Sequence, residues 1–306
     1  MNLNPQIQTK LYGLNNEFND FIKLYKTKQL PNKILLSGQK GVGKCTLGYH
    51  IINYILSIDE EYSYNLDECS IFEENKSFKL IQNKSNPNFS LIDVLDEKKK
   101  IEISQIRNLI TNINKTSFNS KPRFVLIDNI ENLNPNSINA LLKIIEEPVA
   151  NCFFILIHNN HKILETLKSR CINFKISLSN KSSILVSNKL VNDNIENLIN
   201  KDFLNYYITP GKIYNLIKFS KENKIDLKYM SLKDLLNLII DENLYKKETT
   251  FKNMIYELIE LFMVKKFSLH NAEFIDYFLK KINNLKKYNL DEKSLFFEFK
   301  KELLDG

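Results

Sequence analysis

An α/β fold is predicted, a doubly wound parallel sheet of five strands followed by a small helical domain and a larger all-helical one. Three observations carry this prediction. Short apolar runs alternate with helix-spaced segments through the first 178 residues. The first run leads into a glycine cluster that opens a helix. From about residue 178 onward strand-like runs give way to helical spacing alone.

Residues 14–29 place Leu14, Phe18, Phe21, Ile22 and Tyr25 on one helical face, and Pro31 stops the helix. The run Ile34-Leu35-Leu36 is the first strand. It enters Gly38, four intervening residues, Gly43 and Lys44, the G-x-x-x-x-G-K spacing of a phosphate loop. Glycine N–H groups there line an anion nest and the lysine reaches the phosphates. Of only seven glycines in the chain, Gly38, Gly41, Gly43 and Gly48 fall in this window, so the backbone needs positive φ or close approach here. The position that would put a Ser or Thr hydroxyl on Mg²⁺ holds Cys45, a soft, mostly protonated group, and Thr46 comes one residue late. The loop is expected to hold a nucleotide, ATP or ADP, with magnesium bound weakly if at all.

The helix continues through Leu47, Ile51, Ile52 and Ile55; the polar stretch 57–86 reads as a loop or weak insertion. Phe89 to Val94 is the second strand, and Ile103 to Ile113 the next helix. Phe124-Val125-Leu126-Ile127-Asp128 is a buried parallel strand with its acid at the carboxyl edge, where such sheets bind ligands. Asn134-Pro135 starts a helix that Pro148 ends. The strand Phe153 to Ile157 has the polar tip His158-Asn159-Asn160, and Ser169-Arg170-Cys171 leads into the fifth strand, Ile172 to Ile176. His50, His158 and His161 read as polar surface or edge residues. The helical half carries stripes such as Leu232, Leu235, Leu236 and Ile239, then Phe251 to Phe262, then Phe274, Tyr277 and Phe278, all read as plain core. A break at Thr209-Pro210-Gly211 opens a basic helix at Lys212. The domains expected are 1–177, 178–222 and 223–306.

Net charge is +7, spread along the chain as Lys mixed with Asp and Glu, which favours a polyanionic neighbour without forming a basic arm. Arginine occurs only at Arg107, Arg123 and Arg170, so each marks a place where a planar fork is useful. Four scattered cysteines without a C-x-x-C indicate neither a disulfide framework nor a zinc knuckle. No run reaches the length of a membrane span and the start has no signal-peptide character, so a cytoplasmic protein without a membrane partner is expected.

The order of phosphate loop, strand acid Asp128, polar strand tip and Ser169-Arg170-Cys171 resembles the ATPase module of the AAA+ clamp-loader family. Leu11-Tyr12-Gly13, Asn86-Pro87-Asn88-Phe89, the string from Leu133 to Pro148 and Leu167 to Cys171 most resemble its bacterial delta-prime branch, over about 11–178. The resemblance implies nucleotide cradling by Gly38, Gly41, Gly43, Lys44, Cys45 and Thr46, and a Walker B acid at Asp128. It also implies an arginine finger at Arg170 acting on a neighbouring subunit's ATP, a sensor at His158 or Asn159, and a second sensor at Lys212. The implied partners are gamma/tau and delta subunits in a hetero-pentamer, with the sliding clamp and primer-template DNA reached through the complex. Two departures weaken catalysis: Asn129 stands where an active member has the water-polarising glutamate, and Cys45 stands at the metal. The family's four-cysteine zinc module is represented only by Cys69, so no zinc is expected. The readings that compete are an active motor ATPase of gamma/tau type or another AAA+ enzyme, and a small-molecule kinase or GTPase, against which the helical half stands.

Overall fold

The computed structural model describes residues 2–95, 98–113, 119–147, 150–159, 165–204, 208–246, 249–266, 272–288 and 291–304. Pro148, Asn160 and His161 lie outside these residues, as does the side chain of Phe274. The chain forms two compact units, Met1–Val186 and Ser187–Gly306.

In the first unit the elements follow in order α1 (Asn15–Lys26), β1 (Lys33–Ser37), α2 (Lys44–Leu56), α3 (Lys76–Gln82), β2 (Phe89–Ile92), α4 (Ile103–Ile113), β3 (Arg123–Ile127), α5 (Pro135–Glu146), β4 (Cys152–His158), α6 (Glu165–Lys168), β5 (Ile172–Lys175) and α7 (Asn180–Val191), which runs across the boundary. All pairings are parallel, in the order β2-β3-β4-β1-β5. The three middle strands are nearly pure Val, Ile, Leu and Phe because helices cover both faces; Leu36, Leu126 and Leu156 are fully buried. β5 is an edge strand, and its Ile172 is accordingly exposed. One face packs Ile106, Leu109 and Ile113 of α4 with Leu141, Ile144 and Ile145 of α5 onto Val125, Ile127, Phe154 and Leu156. The register aligns Ile92 with Ile127, Ile127 with Leu156, and Ser37 with His158, so the residues following β2, β3, β4 and β1 meet at one carboxyl edge.

In the first unit two expectations need correction. The stretch 57–86 contains a helix, α3, whose seven residues are too few to show a period; Asn75 caps it by accepting from Phe78 N at 2.7 Å, and Phe78 and Ile81 are buried. His50 is not a surface residue. It lies on α2, fully buried, with Nδ1 2.8 Å from the Tyr64 hydroxyl, and burial pulls its pKa down to about 4. A helix buried on most of its circumference hides a histidine as readily as an isoleucine, and its apolar period does not reveal that.

The second unit is all helical: α8 (Ile195–Leu198), α9 (Lys201–Leu204), α10 (Pro210–Glu222), α11 (Leu232–Asp241), α12 (Thr249–Lys266), α13 (Ala272–Tyr288) and α14 (Glu292–Phe299). Ser231 and Asp234 form a capping box on α11. Most of the expected stripes are core: Phe219 packs on Phe251 (5.0 Å), Tyr245 on Phe296 (4.6 Å) and Phe278 on Phe299 (5.8 Å). Tyr277, however, is 44% exposed and donates its hydroxyl to Glu298, because its position on α13 faces away from Phe278's side of the helix. Among the described residues no helix is long and apolar enough to cross a membrane.

Candidate nucleotide site

The phosphate loop leaves β1 at Gly38 and enters α2 at Lys44. Gly38, Gly41 and Gly43 have φ of +154°, +88° and +99°, which side chains strongly disfavour. Gly43 occupies the N-cap position in the left-handed region with no side-chain cap, so the first-turn N–H groups of α2 are presented to an incoming anion. Gly48 serves a different purpose: a Cβ there would stand 3.2 Å from Leu126 Cδ1, so it lets α2 lie close on β3. Lys44 is 3% exposed and donates from Nζ to the carbonyls of Gly38 and Gln39, both at 2.7 Å. Burial lowers its pKa to about 8, opposed by Asp128 and Glu131. The glycine cradle and the lysine fit a nucleotide phosphate, for which Lys44 would exchange its own loop's carbonyls.

The fit to magnesium fails. Asp128, at the end of β3, hydrogen-bonds the Cys45 side chain and accepts from Asn129 N at 2.8 Å. Burial and then the nearby Asp93 push the Asp128 carboxyl up to about 6, and burial and then Asp128 push the Cys45 thiol well above its ordinary value. A neutral thiol donating to the strand acid occupies the two positions a hard cation would need. Thr46 lies half-buried in the same turn. Among the described residues no group of three His, Cys, Asp or Glu side chains is arranged to hold a metal ion.

At the expected base position, Asn129 adopts φ +53° and is held from both sides. Its Nδ2 donates to Asp93 Oδ1 at 2.8 Å, and its Oδ1 accepts from Asn159 Nδ2 at 3.0 Å. Asn159 also donates to Glu131 Oε1 at 2.8 Å and is 8% exposed. Of the two sensor candidates, Asn159 joins this chain of amides and carboxylates, while His158 lies buried at the end of β4, in register with Ser37. Asp93 and Glu131 join the site although the sequence reading assigns neither a role. The signal for Asp93 existed: it follows an apolar run, as Asp128 does.

Arg170 lies after α6 on the surface. Nε and Nη2 both reach Glu146 Oε1, at 2.6 and 2.5 Å, and Nη1 donates to Thr166 O at 2.7 Å. Lys212 sits in the first turn of α10 in the second unit and pairs with Glu257 of α12 at 3.2 Å.

The burial of Asp128 has a consequence for stability. Its folded pKa is raised from the unfolded value of 3.8 to about 6, so the stability associated with the protonated carboxyl is present below about pH 3.8, is lost as the pH rises from there to about 6, and stays lost above it. Asp128→Asn is therefore expected to stabilise the protein by about 1–3 kcal/mol at pH 8 and by much less at pH 4. Urea denaturation at both pH values checks this; an equal effect at both would show that Asp128 is not held against ionisation.

The profile of the family described as DNA polymerase III, delta subunit, matches residues 13–180, more than half of the chain. The chain belongs to this family. A DNA polymerase III subunit delta' from Buchnera aphidicola subsp. Schizaphis graminum is 27% identical over 288 residues, covering 88% of this chain and 84% of the relative. A DNA polymerase III subunit gamma from the same organism is 28% identical over 184 residues, covering 59% of this chain and 47% of the relative. Among solved structures, a DNA polymerase III gamma subunit-related protein of Thermotoga maritima superposes with TM-score 0.51 at 17% identity, over 91% of this chain and 96% of that one. That likeness is one of fold, a parallel α/β sheet followed by a helical region.

Proposed function

We propose that this clamp-loader subunit of DNA replication works as a hydrolysis-poor stator of delta-prime type. The observation that carries this reading is the Asn129 amide, engaged by Asp93 on one side and Asn159 on the other, where hydrolysis needs a free carboxylate. The nearest alternatives, Asp93 and Glu131, are themselves hydrogen-bonded to these amides. In this proposal Gly38, Gly41, Gly43 and Lys44 hold ATP or ADP, with Cys45 and Thr46 in the first turn of the helix and magnesium bound poorly. Asn159 or His158 acts as first sensor and Lys212 as second. Arg170 serves a neighbour's ATP. The helical half divides into a lid, 178–222, and a collar, 223–306. Gamma/tau and delta subunits are the partners in a cytoplasmic hetero-pentamer, through which the chain acts on the sliding clamp and primer-template DNA.

A GTPase reading gains nothing from Asn223-Lys224-Ile225-Asp226, although the string has the letters of a guanine signature. Asn223 ends α10 with Nδ2 on Phe219 O at 2.9 Å, and Asp226 Oδ1 accepts from Lys228 N at 3.0 Å, so both side chains serve local turns.

The isolated chain is expected to turn over ATP no faster than its Lys44→Ala variant, measured as phosphate release with magnesium in excess. Multiple-turnover hydrolysis that Lys44→Ala abolishes would overturn the stator reading and favour a motor of gamma/tau type.

A further inference from the structure

The segment from Ser57 to Asn75, between α2 and α3, is firmly built on its inner side. Tyr64 stacks on Phe18 with ring centroids 4.8 Å apart, and Asn75, fully buried, accepts from Asn53 Nδ2 and donates to Tyr62 O at 2.7 Å. Asn65 and Ser70 exchange backbone hydrogen bonds at 2.9 and 3.0 Å, closing a hairpin with Leu66 at its turn. Leu11 N donates to Cys69 O and Ile71 N to Thr9 O, which tie the hairpin to the N-terminal segment.

The outer side is different. Ile58, Tyr62, Leu66 and Phe72 are 37–47% exposed, and the Tyr62 and Phe72 rings lie against each other at 6.4 Å. Around them Asp59, Glu61, Asp67, Glu68, Glu73 and Glu74 are exposed, whereas Glu60 turns inward to Ser77 and Lys121. Residues 57–75 contain no Lys or Arg, in a chain whose net charge is +7. The inner contacts hold the hairpin while these side chains stay more than a third exposed, and exposed apolar groups bordered by charge mark contact surfaces.

The sign of the rim selects the occupant. Carboxylates repel nucleic-acid phosphates and anionic lipid but attract Lys and Arg, while the paired rings and Leu66 require apolar anchors opposite them. We propose that residues 58–74 are a docking face for a basic protein segment bearing apolar anchors, a surface separate from the nucleotide site and independent of whether that site hydrolyses ATP.

The test uses the full chain and fluorescence anisotropy with a labelled helical peptide of Lys and Leu, leucines spaced i, i+3, i+4. Peptides with Glu in place of Lys, or Ser in place of Leu, and a thymidine oligonucleotide serve as comparisons. The Lys/Leu peptide is expected to bind at least tenfold more tightly than all three, and to lose at least tenfold in affinity on Tyr62→Ser, on Leu66→Ser and on Glu73→Lys with Glu74→Lys. Amide exchange of residues 58–74 should slow in the complex. Leu66→Ser, at the hairpin turn, keeps the test valid if Tyr62→Ser lowers stability. Unchanged affinity in the Leu66 and charge-reversal variants, equal binding of the Lys/Ser peptide, or oligonucleotide binding lost in the same variants overturns the proposal.

Discussion

Arg170→Ala is expected to leave this protein folded and able to assemble, yet to lower the DNA- and clamp-stimulated ATPase of the complete loader by about 10³-fold or more at the site it serves. The first half of that expectation follows from exposure. The Arg170 and Glu146 side chains are 36% and 52% exposed, and a surface ion pair of this kind contributes at most about 1 kcal/mol. The second half follows from the geometry of the fork. Glu146 and Thr166 gather Nε, Nη1 and Nη2, holding the guanidinium in one orientation at the surface, where in the proposed assembly a neighbour's phosphates would replace the carboxylate. Arg170→Lys should rescue little, because one ammonium cannot reproduce a bidentate contact. A reconstituted complex that hydrolyses ATP and loads clamps at the wild-type rate with Arg170→Ala would remove the arginine finger from this account.

Gly38→Ala is expected to cost about 3–5 kcal/mol of stability and to abolish nucleotide binding. At φ +154° a side chain is already strained, and the new Cβ would stand 2.1 Å from the Ile176 carbonyl oxygen. That oxygen belongs to backbone that cannot yield cheaply, because Ile176 N donates to Ser37 O at 2.7 Å and continues the β1–β5 pairing. Gly48→Ala provides the contrast. Its Cβ would meet a flexible Leu126 methyl at 3.2 Å, and alanine favours a helix over glycine by about 1 kcal/mol, so the net change should stay within about 1 kcal/mol. Guanidinium denaturation with nucleotide titration of both variants separates the two cases. A Gly38→Ala protein as stable as the wild type would show that the loop does not run against Ile176.

The amino-acid sequence by itself determined the five strands, the glycine loop and the helical second half, and set against the family it resembles it marked Cys45 and Asn129 as positions to question. These features are local: a run of apolar residues, a spacing of glycines, a residue type at a counted position. The helix Lys76–Gln82 escaped because three apolar positions in seven residues make no clear period, and the burial of His50 escaped because α2 is covered on most of its circumference. What Asn129 touches could not be counted along the chain. Asp93 is 36 residues before it and Asn159 is 30 after it, and only the parallel register of β2, β3 and β4 brings their ends together. The same holds for Asp128 against Cys45 and for Arg170 against Glu146, 24 residues apart. A sequence states which groups are present; how each group is hydrogen-bonded and how far burial moves its proton depend on neighbours that only the packed sheet supplies.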